Sequence, residues 1–158
     1  MLEPKVHLSQ MHIATKGSKI NISSEIKLKE FANDLSIKLK HGDIFFLFGE
    51  MGVGKTTFVK YLINNLQHVS KSKLTEVTSP TFNIMNEYNI GGLLIKHYDL
   101  YRLKKSNELI DLNLFDENDK AVLLIEWPEI IKKEPNLVTK LYFEYDNEYQ
   151  NRSIKISN

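Results

Sequence analysis

The sequence has no cysteine, which excludes disulfide staples, thiolate metal sites and a cysteine nucleophile. Arginine is almost as scarce: lysine supplies nearly all the positive charge, and only Arg102 and Arg152 are available as an internal arginine finger. Excess charge of one sign is missing too, with 21 Lys+Arg against 20 Asp+Glu in 158 residues. The chain therefore has no bulk basic field of the kind that holds proteins on nucleic acid or anionic membrane, and any contact with RNA must be local or borrowed from a partner. No apolar run approaches the roughly 18 residues that span a bilayer, and residues 1–17 contain no uninterrupted apolar stretch of the signal-peptide type. A cytoplasmic protein with no membrane contact is expected. With 42% hydrophobic residues, the length suits one domain with a sizeable core. That domain is expected over residues 18–158, preceded by an extension over residues 1–17 that ends in the turn-like Lys16-Gly17-Ser18.

What is present has clear periodicity. Lys19-Ile20-Asn21-Ile22 reads as a short strand. Ser23-Ser24 before Glu25 offers an N-cap for a helix carrying Ile26, Leu28, Phe31, Leu35, Ile37 and Leu39, ending near His41-Gly42. The run over residues 43–48, bounded by Gly42 and Gly49, is the pattern of a strand buried on both faces. Phe58, Val59, Leu62, Ile63 and Leu66 then mark one face of a second helix. Further on, residues 76–78 and 82–88 read as extended, residues 89–92 as a hairpin turn and residues 93–98 as the returning strand. A polar helix is expected over residues 107–112, and an apolar strand over residues 121–125 that ends on Glu126. Two late strands, over residues 137–145 and 152–156, are expected to close the sheet edge.

Between the first buried strand and the second helix lies Gly49-Glu50-Met51-Gly52-Val53-Gly54-Lys55-Thr56, a gap-free P-loop pattern in the context its mechanism requires. Glycines at 49, 52 and 54 let the backbone approach a polyphosphate, so that its N–H groups and the helix N-terminus point at the oxygens. Lys55 would reach the β- and γ-phosphates, Thr56 would offer its hydroxyl to Mg²⁺, and Thr57 would lie near the α-phosphate. The plain alternative is a glycine-rich turn with an exposed lysine, which the strand–loop–helix placement disfavours.

A P-loop needs a second acid near its metal, and Glu126 at a buried strand's end fits, against the plain reading of a solvent-facing strand end. Asp99 is another strand-end acid and reads equally as an N-cap of the following turn. Thr81, after Pro80, either presents a hydroxyl to the γ-phosphate or caps a turn, with the cap slightly favoured. Trp127 reads first as a lid on the core and second as a ring near the nucleotide. The five histidines lack an i, i+4 pairing around a carboxylate, and His97 reads as a packed or hydrogen-bonded strand residue. The absence of an Asn-Lys-x-Asp tetrapeptide favours ATP over GTP. The shortage of arginine disfavours a small-molecule kinase with an arginine-bearing lid, and a nucleotide-sensing module without hydrolysis is the third reading. One lysine, one metal and few arginines make a slow site when alone.

Four blocks together carry a resemblance: residues 49–57, Thr78-Ser79-Pro80-Thr81-Phe82, His97-Tyr98-Asp99-Leu100-Tyr101-Arg102-Leu103, and Ile125-Glu126-Trp127-Pro128-Glu129. In their order and spacing, from about residue 20 onward, the chain resembles the TsaE (YjeE) family, small bacterial P-loop ATPases of tRNA threonylcarbamoyladenosine synthesis. The resemblance implies an α/β fold, a three-layer P-loop NTPase-like sandwich with a mixed, partly parallel sheet. It also implies ATP or ADP and Mg²⁺ as ligands, held by Lys55 and Thr56, with Glu126 as the acid at the metal, and it favours functional roles for Thr81, Asp99 and Trp127. The implied partners are the TsaB–TsaD pair, whose repeated turnover such a weak ATPase supports, with tRNA contacted only through that complex.

Overall fold

In the computed structural model, which describes Gly17 and residues 19–157, a seven-stranded sheet carries two helices on one face. The expected extension over residues 1–17 lies outside the described residues except for Gly17. The strands are β1 (Lys19–Asn21), β2 (Ile44–Phe48), β3 (Met85–Ile90), β4 (Leu93–Asp99), β5 (Val122–Glu126), β6 (Thr139–Tyr145) and β7 (Arg152–Ser157), in the order β1-β7-β6-β2-β5-β4-β3. Parallel pairing joins β2 to β5 and β6, and β4 to β5; the outer pairs are antiparallel. The sheet is thus mixed, with a parallel centre, as the α/β reading requires.

Helix α1 (Glu25–Ser36) starts where Ser24 Oγ accepts from the Lys27 amide at 3.2 Å. Leu28, Phe31, Ala32 and Leu35 recur at i, i+3, i+4 and i+7 and are buried. Helix α2 (Lys55–Val69) buries Phe58, Val59, Leu62 and Ile63, and the rings of Phe31 and Phe58 meet at 5.6 Å between the two helices. Both helices pack on the face formed by Phe45, Leu47, Ile95, Val122 and Leu124. The opposite face, with Phe46, Tyr98, Leu123 and Ile125, is covered by irregular chain carrying Leu100, Leu114 and Ile131 and by two 3₁₀ segments, Ser106–Leu112 and Pro128–Ile130. Among the described residues, the third layer is therefore built without an α-helix.

Several expected elements differ. The first helix stops at Ser36, well before Gly42. The helix over 107–112 is a 3₁₀ segment with no buried residue, its entry held by Glu108 accepting from the amides of Lys104 and Lys105. Residues 76–78 form no strand, because side chains take neighbouring backbone groups. Gln67 accepts from the Thr75 amide at 3.2 Å, and Asn86 donates to the Thr78 carbonyl at 3.2 Å. The late strands do not form the edge: β6 lies parallel to β2, and β1 pairs outside β7. Among the described residues no helix is long and apolar enough to cross a membrane.

Candidate active site

The carboxyl ends of β2, β4 and β5 meet at one edge of the sheet, and there the fold buries Lys55, His97, Asp99 and Glu126. Register explains the grouping. β4 and β5 are parallel, with His97 opposite Leu124 and Asp99 opposite Glu126. Side chains two apart share a face, so both acids and the histidine continue the helix-side row begun by Ile95 and Val122.

The loop over residues 49–54 carries the chain from β2 into α2. At Gly49, φ is +145°, and a Cβ would stand 2.6 Å from the Phe143 carbonyl oxygen and 2.9 Å from Val53 Cγ1, so no side chain fits. Val53 buries its side chain in the helix-side core and anchors the loop. From behind, Arg152 Nη1 donates to the Val53 carbonyl at 3.2 Å and the Tyr145 hydroxyl donates to the Gly52 carbonyl at 3.1 Å. Arg152 thus braces the loop backbone. Helix α2 begins with no side-chain cap and no acid in its first turn, which leaves its first amides and the positive end of its dipole for an anion.

Lys55 is 5% exposed. Its ammonium donates to the Gly49 carbonyl and, at 3.2 Å, to the Glu50 carbonyl, and lies 3.8 Å from the centre of the Trp127 ring. Burial pushes its pKa below the ordinary lysine value, against the opposing pull of Glu126, Glu129 and Asp99. The next residue, Thr56, donates its hydroxyl to Glu126, with Oε1 at 2.9 Å and Oε2 at 3.2 Å. His97 Nε2 reaches the same Oε1 at 2.8 Å.

Asp99 forms a second knot. Its Oδ2 accepts from Ser79 Oγ at 2.6 Å and Thr81 Oγ1 at 3.1 Å, while Oδ1 accepts from the Tyr101 amide at 3.0 Å. Asp99 therefore does cap the following turn, and it also faces the site. Thr81 bonds Asp99 and Ser79, with no backbone group capped by its hydroxyl among these contacts. At Trp127 the backbone turns left-handed, φ 56° and ψ 52°, which swings the indole back over Lys55 and against Tyr101, ring centres 4.8 Å apart.

These groups surround an open cavity of about 300 Å³, a size that holds a small ligand. Met51, Gly52, Gly54, Lys55, Thr56 and Thr57 line it from the loop and α2; Thr81, Asp99, Glu126 and Trp127 line it from the other side. Gly49, Glu50 and Val53 lie behind that wall: the first two offer carbonyls to Lys55, and the third fills the core. Reasoning from sequence missed Ser79 and Tyr101 as wall residues and undervalued His97. The histidine two before Asp99 was the available signal, since a period of two puts that pair on one side of strand β4; Ser79 precedes the turn that begins at Thr81, where no such period applies. Arg102 lies outside the lining, stacked 5.2 Å from the centre of the exposed Phe82 ring.

Comparison with known proteins points one way. The family model described as "Threonylcarbamoyl adenosine biosynthesis protein TsaE" matches residues 22–154. A Rickettsia felis protein named "tRNA threonylcarbamoyladenosine biosynthesis protein TsaE" is 38% identical over 111 residues, 70% of this chain and 63% of that one, so the match spans less than two thirds of that relative. A Rickettsia bellii protein of the same name is 38% identical over 116 residues, 73% of this chain and 78% of that one. Among solved structures, "Crystal structure of Bacillus subtilus YdiB" superposes with a TM-score of 0.64 at 26% identity, covering 87% of this chain and 82% of that one. With the P-loop, both strand-end acids and the Trp127 turn inside the matched span, the chain belongs to the TsaE family of tRNA threonylcarbamoyladenosine biosynthesis.

Proposed function

We propose that this chain is a magnesium-dependent ATPase, slow alone, that acts in the cytoplasm to support repeated turnover of the TsaB–TsaD pair as it forms threonylcarbamoyladenosine in tRNA. The observation that carries the ATPase reading is the hydrogen-bonded pair Thr56–Glu126 beside the buried Lys55, at the mouth of an uncapped helix. The name those relatives carry supports the pathway.

In this reading the loop amides and the start of α2 bind the polyphosphate, and Lys55 exchanges its carbonyl acceptors for phosphate oxygens. A threonine hydroxyl and a carboxylate are hard oxygen donors of the kind magnesium takes, so Thr56 and Glu126 would hold the ion, which would neutralise charge on the β- and γ-phosphates. Asp99, with Thr81, faces the same space and orients the attacking water, whose reaction leaves ADP and phosphate. Trp127 walls the phosphate end and keeps Lys55 dry. Exposed Met51, Phe82 and Tyr101 beside the cavity give a partner protein an apolar rim to grip, and the near-neutral surface suits a protein that leaves tRNA to its partners.

The deciding experiment is phosphate release from ATP by the purified chain, first alone and then with TsaB, TsaD and tRNA. Slow release that rises at least about tenfold with the complex supports the reading. Release that ignores the complex detaches the site from the pathway, and transfer of the γ-phosphate to a metabolite instead of water would make the chain a kinase.

A further inference from the structure

His97 is fully buried, and the ATPase reading gives it no task. It stands in a helix-side row whose neighbours are Ile95, Val122 and Leu124, where an apolar residue would pack without cost. Its imidazole instead spends its one hydrogen bond on Glu126. Nε2 lies 2.8 Å from Oε1, while Nδ1 is buried with no partner among the described residues. That asymmetry assigns the proton. A carboxylate only accepts, so Nε2 donates, and a bare Nδ1 lone pair is cheaper to bury than an unpaired N–H.

The arrangement divides the two oxygens of Glu126. Oε1 takes His97 at 2.8 Å and the shorter Thr56 contact at 2.9 Å, which leaves Oε2 with only the longer Thr56 contact at 3.2 Å. A carboxylate held by Thr56 alone would be free to rotate and present either oxygen. We propose that His97 is the positioning residue of this site: its Nε2–H pins Oε1 of Glu126 and so reserves Oε2 for the magnesium–ATP complex. The proposal rests on the ATPase reading, and it assigns His97 no contact with nucleotide. Outer groups that orient a ligating carboxylate typically change metal affinity or activity by about 10- to 100-fold when removed.

Glutamine and asparagine separate positioning from packing, because a glutamine amide nitrogen falls near the histidine Nε2 and an asparagine nitrogen near Nδ1. In the full chain, magnesium-dependent binding of a non-hydrolysable ATP analogue is read from the single tryptophan, Trp127, alongside phosphate release. His97→Asn is expected to need about tenfold more magnesium and to lose about tenfold in kcat, with KM for ATP within about twofold; His97→Gln should stay within about threefold of wild type. An imidazole nitrogen spectrum of the metal-free, nucleotide-free protein, assigned with His97→Gln, should show His97 carrying its proton on Nε2, with the signal shifting in Glu126→Gln. Two variants that behave alike, whether both active or both dead, would overturn the proposal, as would a proton on Nδ1. Wild type that neither binds the analogue nor releases phosphate would overturn the ATPase reading instead, and the nitrogen spectrum would still decide whether His97 holds Glu126.

Discussion

Glu126 and Asp99 end neighbouring parallel strands in register, both buried, yet each is wired to a different part of the molecule. Glu126 bonds Thr56 on the P-loop helix and His97 within the sheet. Asp99 bonds Ser79, Thr81 and the Tyr101 amide, all on loops, next to the exposed Phe82 and Tyr101. Two carboxylates of equal depth thus sit in a rigid corner and a loop-built corner. The first suits a group that must keep its geometry; the second links the chemistry to a surface a partner can touch.

The largest effect should come from the rigid corner. Lys55→Ala or Glu126→Gln is expected to cut phosphate release by about 100-fold or more while circular dichroism stays native; release within tenfold of wild type would remove the corner from the chemistry. Asp99→Asn should cost about 10- to 100-fold, and if the loop corner serves the partner, the loss should be greater with the complex than without it. An equal loss in both assays would erase the distinction between the corners. Ser79→Ala removes one of three donors to Asp99 and is expected to cost about 1 kcal/mol in urea unfolding and only a few-fold in rate.

Two smaller effects test whether burial of charge belongs to the site alone. The Lys55 pKa is depressed, chiefly by burial, so the folded state holds that proton less tightly than the unfolded chain does. The cost of burying the ammonium is full below the folded value and is relieved as pH rises from there toward 10.5. Lys55→Met should therefore melt higher than wild type at pH 7, by a margin that shrinks as pH climbs. Lys96 and Asp119 form a partly buried pair away from the cavity, in which the hydrogen bond raises the lysine and lowers the acid. Its stabilisation is present between those values, fades as pH falls through the depressed value of Asp119 below 3.8, and fades again above 10.5. Asp119→Asn should cost about 1 kcal/mol or less at pH 7 and leave phosphate release unchanged.

Much of this was legible before the fold. The run at residues 43–48, which became β2 over Ile44–Phe48, the glycines after it and the 3.6-residue period of Phe58, Val59, Leu62 and Ile63 are local signals, and each became the element expected. Residues 76–78 misled because Val77 is buried while the neighbouring backbone bonds go to Gln67 and Asn86, a fact invisible to any pattern along the chain. The expected edge strands failed for a similar reason: β1 pairs with β7 across more than 130 residues, and no local signal sets that order.

By itself the sequence determined the strand–loop–helix unit, its glycine-rich loop and two strand-end acids, because glycine backbone freedom, apolar periodicity and residue chemistry all act within a few positions. Only the tertiary structure decided that Thr56 would meet Glu126 across 70 residues, that His97 would pin one of its oxygens, and that Ser79 and Thr81 would converge on Asp99. Hydrogen bonds require a donor and acceptor about 3 Å apart, and for residues that far apart in sequence the parallel register of β4 and β5 beside β2 sets that distance.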